Sequence, residues 1–235
     1  MTDVASVDVY SDVVCPWCYI GKRKLEQALA RLGEENLTVT PTWRAFQLNP
    51  DMPPSGMARQ DYVAAKFGGP ERATEIYARV AAAGNEVGIA FQFDKIERQP
   101  NTIHAHRLIR FAGLKGTGPR PVASLGLPRQ DAVVEALFRA FFLEFRDIGD
   151  IASLSDIASD AGLDRQTVFD FLSSDAESSA IQLEDETARR LGISGVPFFI
   201  FGGKYAVSGA QPADVIFDAI QQASAESRDD QAATG

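Results

Sequence analysis

Val14-Cys15-Pro16-Trp17-Cys18 is the stretch whose reading decides the fold, and it holds the only two cysteines of the 235-residue chain. Val7, Val9 and Tyr10 precede it with the alternation of a strand. Ile20, Leu25, Leu29 and Leu32 follow it at helical spacing. The thiols therefore sit at a strand-to-helix junction. Pro16 falls at the first helical position, where a missing N–H costs nothing and a fixed φ suits the helix. That makes Cys15 the N-cap and puts Cys18 in the first turn. Two Cα atoms three residues apart in a helical turn lie about 5 Å from each other, inside the disulfide range of roughly 4.4–6.8 Å. Unpaired backbone N–H groups and the positive helix end point at the first sulfur and favour its thiolate. Thiols so placed fall from a pKa of about 8.5 to roughly 3.5–7.5. The pattern is that of a reversible redox dithiol.

Three plainer readings compete. Buried apolar cysteines need no cap position. Half of a zinc site needs partners, but the two histidines, His104 and His106, are spaced H-x-H rather than H-x₃₋₅-H, so no metal is expected. A structural staple closing so short a loop removes little entropy from the unfolded chain.

The length allows a sizeable core and one large or two small domains. A net charge of −9 argues against nucleic acid and anionic membranes as partners. No apolar run reaches membrane-spanning length; Val196 to Phe201 is strand-sized. Met1 to Ser6 has neither a basic region nor a long apolar core, so no secretory signal is expected and the protein is expected to be cytoplasmic. In a reducing cytosol a C-x-x-C is more often catalytic than structural.

Along the chain, Ser6–Ser11 reads as a strand, Pro16–Leu32 as a helix, and Leu37–Phe46 as a second strand, interrupted at Pro41 or lying at a sheet edge. From Ala58 to Leu191 the pattern is helical: Ala58–Phe67, Pro70–Val87, Thr102–Leu114, Arg129–Phe145, Asp150–Ala161, Asp164–Leu172 and Asp175–Leu191. Phe91–Gln99 is ambiguous and Gly116–Pro128 reads as a turn-rich loop. Phe198–Phe201, Gly202-Gly203 and Tyr205–Val207 read as a hairpin around a two-residue glycine turn. Pro212–Ala223 is a last helix, and residues 225–235 read as a frayed, disordered tail. The order β-α-β, helical block, α-β-β-α gives an α/β fold. Residues 1–54 and 179–224 form a discontinuous thioredoxin-like domain, and 55–178 form a large all-helical insertion packed back over the sheet.

These residues resemble the DsbA family of thioredoxin-fold thiol–disulfide oxidoreductases, and most closely its cytoplasmic FrnE-like branch. The resemblance is carried by Asp12 to Gly21, Trp43-Arg44-Ala45-Phe46-Gln47-Leu48-Asn49-Pro50, Asn101-Thr102 with Ala105-His106-Arg107-Leu108, Gly195-Val196-Pro197-Phe198-Phe199, and Ser208-Gly209-Ala210-Gln211-Pro212. It spans nearly the whole chain, and the C-P-W-C and G-V-P-F elements together are specific. It implies a cis peptide before Pro197, placed opposite the dithiol, with the Val196 backbone free to pair with an extended substrate. Some FrnE-like proteins carry a further cysteine pair; this chain has none.

The expected activity is exchange of a Cys15–Cys18 dithiol or disulfide with polypeptide or small-molecule thiols, in a direction the sequence leaves open, with no cofactor and with a redox partner that the sequence does not name. Cys15, exposed at the cap, is the expected nucleophile; Cys18, buried one turn in, is the resolving thiol. Trp17 is expected to be exposed and to offer apolar contact to substrate, with packing on the insertion as the alternative. His106 belongs on the insertion facing the dithiol, as a proton exchanger or a structural histidine. Asp12 is a thiol-tuning neighbour or a turn residue, and Arg44 and Gln47 line the cleft or are ordinary strand residues. The insertion is expected to control substrate access. Two rivals remain. One is an isomerase or glutathione-dependent enzyme on the same architecture, like the 2-hydroxychromene-2-carboxylate isomerases and kappa-class transferases, which usually carry Ser at the first thiol position. The other is a chaperone-like binding module.

Overall fold

The computed structural model describes residues 6–34, 39–114 and 129–232. Strand β1 (Val7–Ser11) turns at Asp12 to Val14 into helix α1 (Pro16–Glu34). Cys18 to Lys22 at the start of α1 are all buried, and after them Leu25, Ala28 and Leu32 recur every three to four residues and make one apolar face. Fully burying each large side chain of that face contributes about 1.5–3 kcal/mol. Strand β2 (Pro41–Ala45) lies parallel to β1, with Val9 opposite Trp43. Pro41 opens β2, and β2 is an edge strand, which agrees with both expectations for a proline there.

Between β2 and the last strands come β3 (Met57–Ala58), α2 (Arg59–Phe67), α3 (Pro70–Asn85), β4 (Arg98–Gln99), α4 (Ile103–Gly113), α5 (Arg129–Phe142), α6 (Ile151–Asp160), α7 (Arg165–Ser173) and α8 (Ser178–Arg190). The insertion is thus not all-helical. The ambiguous Phe91–Gln99 stretch holds a 3₁₀ turn at Phe93–Lys95, and its end pairs with β3 in a two-residue antiparallel ladder. The Gly116–Pro128 loop lies outside the described residues. Asp150 and Asp164 cap α6 and α7 by accepting from Ser153 N and Thr167 N, the local signals that made these starts legible. Helix α5 stops at Phe142, short of the expected Phe145, and Phe145 itself is left-handed (φ 58°).

Strands β5 (Phe198–Phe201) and β6 (Tyr205–Ser208) complete a four-stranded sheet of order β2-β1-β5-β6. Both glycines of the hairpin have positive φ, and Lys204 N donates to Phe201 O at 3.1 Å. The ladder pairs Phe201 with Tyr205, however, so the connection has three residues, one more than the glycine pair suggests. Helix α9 (Ala213–Ala232) runs well past the expected end at Ala223. Residues 225–232 are therefore helix and not a disordered tail; 233–235 lie outside the described residues. Glu226 fastens this extension, accepting from the Tyr205 hydroxyl and lying 3.7 Å from Lys204 Nζ.

One apolar cluster runs from Val7 and Val9 of the sheet through Leu25 of α1 to Phe138, Leu154 and Leu172 of the insertion. Tyr19 stacks on Phe138 at 4.9 Å between ring centres, joining α1 to α5. Arg107, fully buried, caps the C-terminal end of α7 by donating to the carbonyls of Leu172, Phe171, Ser174 and Ala176.

Candidate active site

The dithiol is built at the junction of β1 and α1. Cys15 O accepts from Cys18 N (3.0 Å) and Tyr19 N (3.4 Å), so Cys15 is the N-cap and Pro16 the first helical residue, as the sequence implies. Both thiols are free. Cys18 is 1% exposed, and burial, with the neighbouring Cys15 sulfur adding to it, pushes its pKa well above the ordinary thiol value; contacts from Ser11 and the Asp12 backbone oppose this without cancelling it. Cys15 is only 5% exposed, which corrects the expectation of an open cap position. What covers it is the loop before β5. The Cys15 thiol donates to Val196 O at 3.6 Å, and the Val196–Pro197 bond is cis. Residues far apart in the chain thus meet at the positive end of α1. Trp17, between the two cysteines, is 41% exposed.

Gly21 permits the close approach. A Cβ there would lie 2.8 Å from Pro197 Cγ and 3.3 Å from Pro197 Cβ. Gly209 N donates to Pro197 O at 2.8 Å and fixes the loop from its other side. Sequence reasoning quoted Gly21 and Gly209 as parts of motifs but gave them no role. Gly21 lies where Pro197 must come close, and Gly209 has a positive φ (81°) that favours glycine.

Behind the dithiol, Asp12 does three things. Its carbonyl accepts from Cys15 N at 3.0 Å, its Oδ2 accepts from Leu48 N at 2.8 Å, and its Oδ1 lies 3.5 Å from His106 Nε2. Asp12 and His106 are both buried, and these two facing atoms have no hydrogen-bond partner among the described residues. His106 therefore comes from α4 of the insertion to face the residue that shapes the dithiol turn. His104 points elsewhere, to Arg107 Nη1 at 2.9 Å, and burial with the Arg107 charge lowers its pKa. Arg44 is a β2 residue, whereas Gln47 lies just past the end of that strand and is buried. Arg44 pairs with Asp8 (2.8 Å) and Glu184 (3.3 Å), and Gln47 N donates to Asp185 Oδ1 (2.8 Å). Those carboxylates of α8 cover the free edge of β2. Tyr62 of α2 is a neighbour the sequence did not suggest. Burial raises its pKa, and the charges of Asp12 and Cys15 add to the effect. Among the described residues no group of three His, Cys, Asp or Glu side chains is placed to hold a metal.

A family model described as a DSBA-like thioredoxin domain matches residues 6–221. The chain belongs to this family. The DsbA-like assignment carries the coarse activity of the family, thiol–disulfide oxidoreduction, and with it the thioredoxin fold bearing a helical insertion. A probable DsbA oxidoreductase of Streptomyces coelicolor, SCO1869, is 30% identical, with a TM-score of 0.78 over 93% of this chain and 89% of that one. A Bacillus subtilis protein, YwbO, is 27% identical over 91% of this chain and 94% of its own length. The cytosolic disulfide reductase DsbM of Pseudomonas aeruginosa, solved with GSH, is 16% identical, with a TM-score of 0.57 over 96% of this chain and 98% of that one. It shares the fold with this DsbA-like chain, as does a 2-hydroxychromene-2-carboxylate isomerase at 16% identity. No helix among the described residues is long and apolar enough to cross a membrane.

Proposed function

We propose that this protein is a cytoplasmic thiol–disulfide oxidoreductase of the FrnE-like branch, exchanging its Cys15–Cys18 pair with polypeptide or small-molecule thiols and disulfides. The observation that carries the reading is the unequal pair of thiols. Cys15 sits at the helix N-cap against Val196 O, and Cys18 is buried behind it with a raised pKa. The thiolate of Cys15 attacks one sulfur of a substrate disulfide, forming the mixed disulfide and expelling the other substrate sulfur as a thiolate, which takes up a proton. Cys18 then gives up its proton and attacks Cys15 Sγ. The second substrate thiolate leaves, the Cys15–Cys18 disulfide forms, and two electrons have passed to the substrate. The reverse sequence donates a disulfide. Asp12 and His106, buried and facing each other behind the dithiol turn, act in this reading as the proton-exchanging pair for the dithiol. Trp17 gives a polypeptide substrate apolar contact, and the Val196–Pro197 turn pairs with its backbone. Residues 55–178 act as the inserted unit that shapes access, set against a thioredoxin-like unit of 1–54 and 179–224.

The cysteine roles are tested by trapping. Cys15→Ser is expected to abolish reaction with an aromatic disulfide. Cys18→Ser is expected to react once and stall as a mixed disulfide at position 15, seen as a mass increase. Turnover by Cys15→Ser, or faster alkylation of Cys18 than of Cys15 in the wild type, overturns the assignment. Retention of client binding by the double serine variant, with no exchange chemistry in the wild type, points instead to a chaperone-like module.

A further inference from the structure

The insertion holds a cavity of ≈730 Å³ between α2, α3 and the 3₁₀ turn. Its size falls in the range of small-molecule sites, about 300–1,000 Å³. The wall is largely apolar, with Val63, Ala73, Phe91 and Ile96 facing it beside Tyr77. Phe91, Phe93 and Tyr77 form a stacked row, with ring centres 5.0 and 4.3 Å apart, that gives the wall a rigid side. One cation enters this wall, Arg59.

Arg59 has an environment unlike that of an ordinary surface arginine. Its guanidinium donates to Gln99 Oε1 and to the Tyr77 hydroxyl (2.7 Å) and lies 5.3 Å from the ring centres of both Tyr62 and Tyr77. Its Nε is buried with no partner. The Gln99 amide has its oxygen turned to Arg59, so its Nε2 points elsewhere, and that nitrogen is also buried without a partner. Two orphan donors thus stand in adjacent side chains. No carboxylate among the described residues pairs with Arg59; burial lowers its pKa, and the groups that oppose this are the tyrosines. Asp94 and Glu97 also line the cavity at solvent-exposed positions, and neither is paired with Arg59. A largely buried cation without a counter-charge is costly, and an acceptor-only anion beside it is the group that offsets this most.

The geometry points to a second ligand site, separate from the dithiol, that takes an amphipathic monocarboxylate: an apolar chain or ring in the cavity and a carboxylate against Arg59. The site does not depend on the thiol chemistry proposed above.

Calorimetric titration of the reduced full-length protein with octanoate, octanol and octylammonium tests this. Octanoate is expected to bind saturably at one site, at least ~10-fold tighter than octanol, the usual return for a hydrogen bond to a charged group. Octylammonium is expected to bind more weakly than octanol. Arg59→Gln should bring octanoate down to the affinity of octanol while leaving octanol unchanged. Ala78→Trp, made at an exposed position on the cavity wall, should weaken both ligands without touching Arg59. It keeps the test decisive if Arg59→Gln does not fold. The double Cys15→Ser, Cys18→Ser variant should bind as the wild type does, so failure of the redox reading leaves this result standing. Octanoate binding no tighter than octanol, absence of saturable octanoate binding, or octanoate affinity unchanged by Ala78→Trp overturns the proposal.

Discussion

At Gly21 a single hydrogen sets how near the dithiol helix comes to Pro197. A methyl there would stand 2.8 Å from Pro197 Cγ and 3.4 Å from Phe199 Cζ, and a proline ring fixed in a short loop cannot rotate aside as a flexible side chain can. Gly21→Ala is therefore expected to destabilise by about 1–3 kcal/mol despite its better helix propensity. It should also push the loop off Cys15, slowing reaction with disulfides. Gly33 in the same helix has nothing within 4 Å of an added Cβ. Gly33→Ala should thus gain up to about 1 kcal/mol and leave the exchange rate alone. Urea unfolding and stopped-flow rates on both variants read this directly; equal effects of the two substitutions would falsify the close-packing argument. The same contact explains why Cys15 is covered where the sequence suggested an open cap. A cap position fixes the backbone donors around a sulfur but says nothing of what a distant loop lays over it.

At the scale of elements, α1 is held to the insertion by an ion cluster as well as by aromatic stacking. Lys22, 1% exposed, faces Glu26, Asp131 (3.1 Å) and Glu135 (3.2 Å), and Arg23 reaches Glu135 as well. Burial works against the Lys22 charge, but the three carboxylates outweigh it and its pKa is raised. Burial likewise works against the Glu135 charge, and Lys22 and Arg23 outweigh it, so its pKa is lowered. The signs give a window. The Glu135 contribution is present above its unfolded pKa of about 4.3 and is lost as pH falls through the lower folded value. The Lys22 contribution is present below about 10.4 and is lost as pH rises through the higher folded value. Lys22→Met should cost on the order of 2 kcal/mol at neutral pH, less than the ~3–5 for a fully buried pair because water reaches Asp131 and Glu135. It should also flatten the acid limb of the stability curve. An unchanged acid limb, measured by thermal unfolding from pH about 3 to 7, would show that Lys22 does not set the Glu135 pKa. None of this was legible in the sequence, where Lys22 and Glu135 are charges on separate helices. What was legible was local: the caps at Asp150 and Asp164, the glycine pair of the hairpin, and the proline starts of α1 and α3. The β3–β4 ladder, too short to carry a pattern, and the extension of α9, fastened by Glu226 to β6, depend on partners elsewhere in the chain. In the site, Cys15, Cys18, Pro197 and His106 were legible through motifs. The facing of His106 to Asp12 was not, because only the fold brings α4 against the dithiol turn.

For the whole molecule, the division into a thioredoxin-like unit and an insertion follows chain order more than it follows the core. Val9, Leu25 and Phe199 belong to one apolar cluster with Phe138, Leu154 and Leu172. Trp43 of β2 also accepts support across the boundary, donating its backbone N–H to Gln130 Oε1 of α5 at 3.1 Å. Neither part can leave the other without exposing the shared face, and each would then lose the burial that offsets its conformational entropy. The expected outcome is a single cooperative unfolding transition rather than two. The chain supplies its own probes. Both tryptophans, Trp17 and Trp43, lie in the N-terminal β1-α1-β2 segment, whereas among the described residues helices α2 to α7 lie between β2 and α8. Tryptophan fluorescence therefore reports one unit and far-ultraviolet circular dichroism is weighted to the other. If the core is shared, the two signals should trace superimposable urea curves with one midpoint and one slope, in the reduced protein and in the oxidised one. A fluorescence transition displaced from the dichroism transition would mean that the insertion unfolds by itself, and that the apolar continuity from sheet to insertion is contact without cooperativity. Coincident curves would also bear on function. Access to the covered Cys15 would then depend on movement of the Val196–Pro197 loop and the side chains around Trp17, because the insertion could not swing away as a body at any accessible cost.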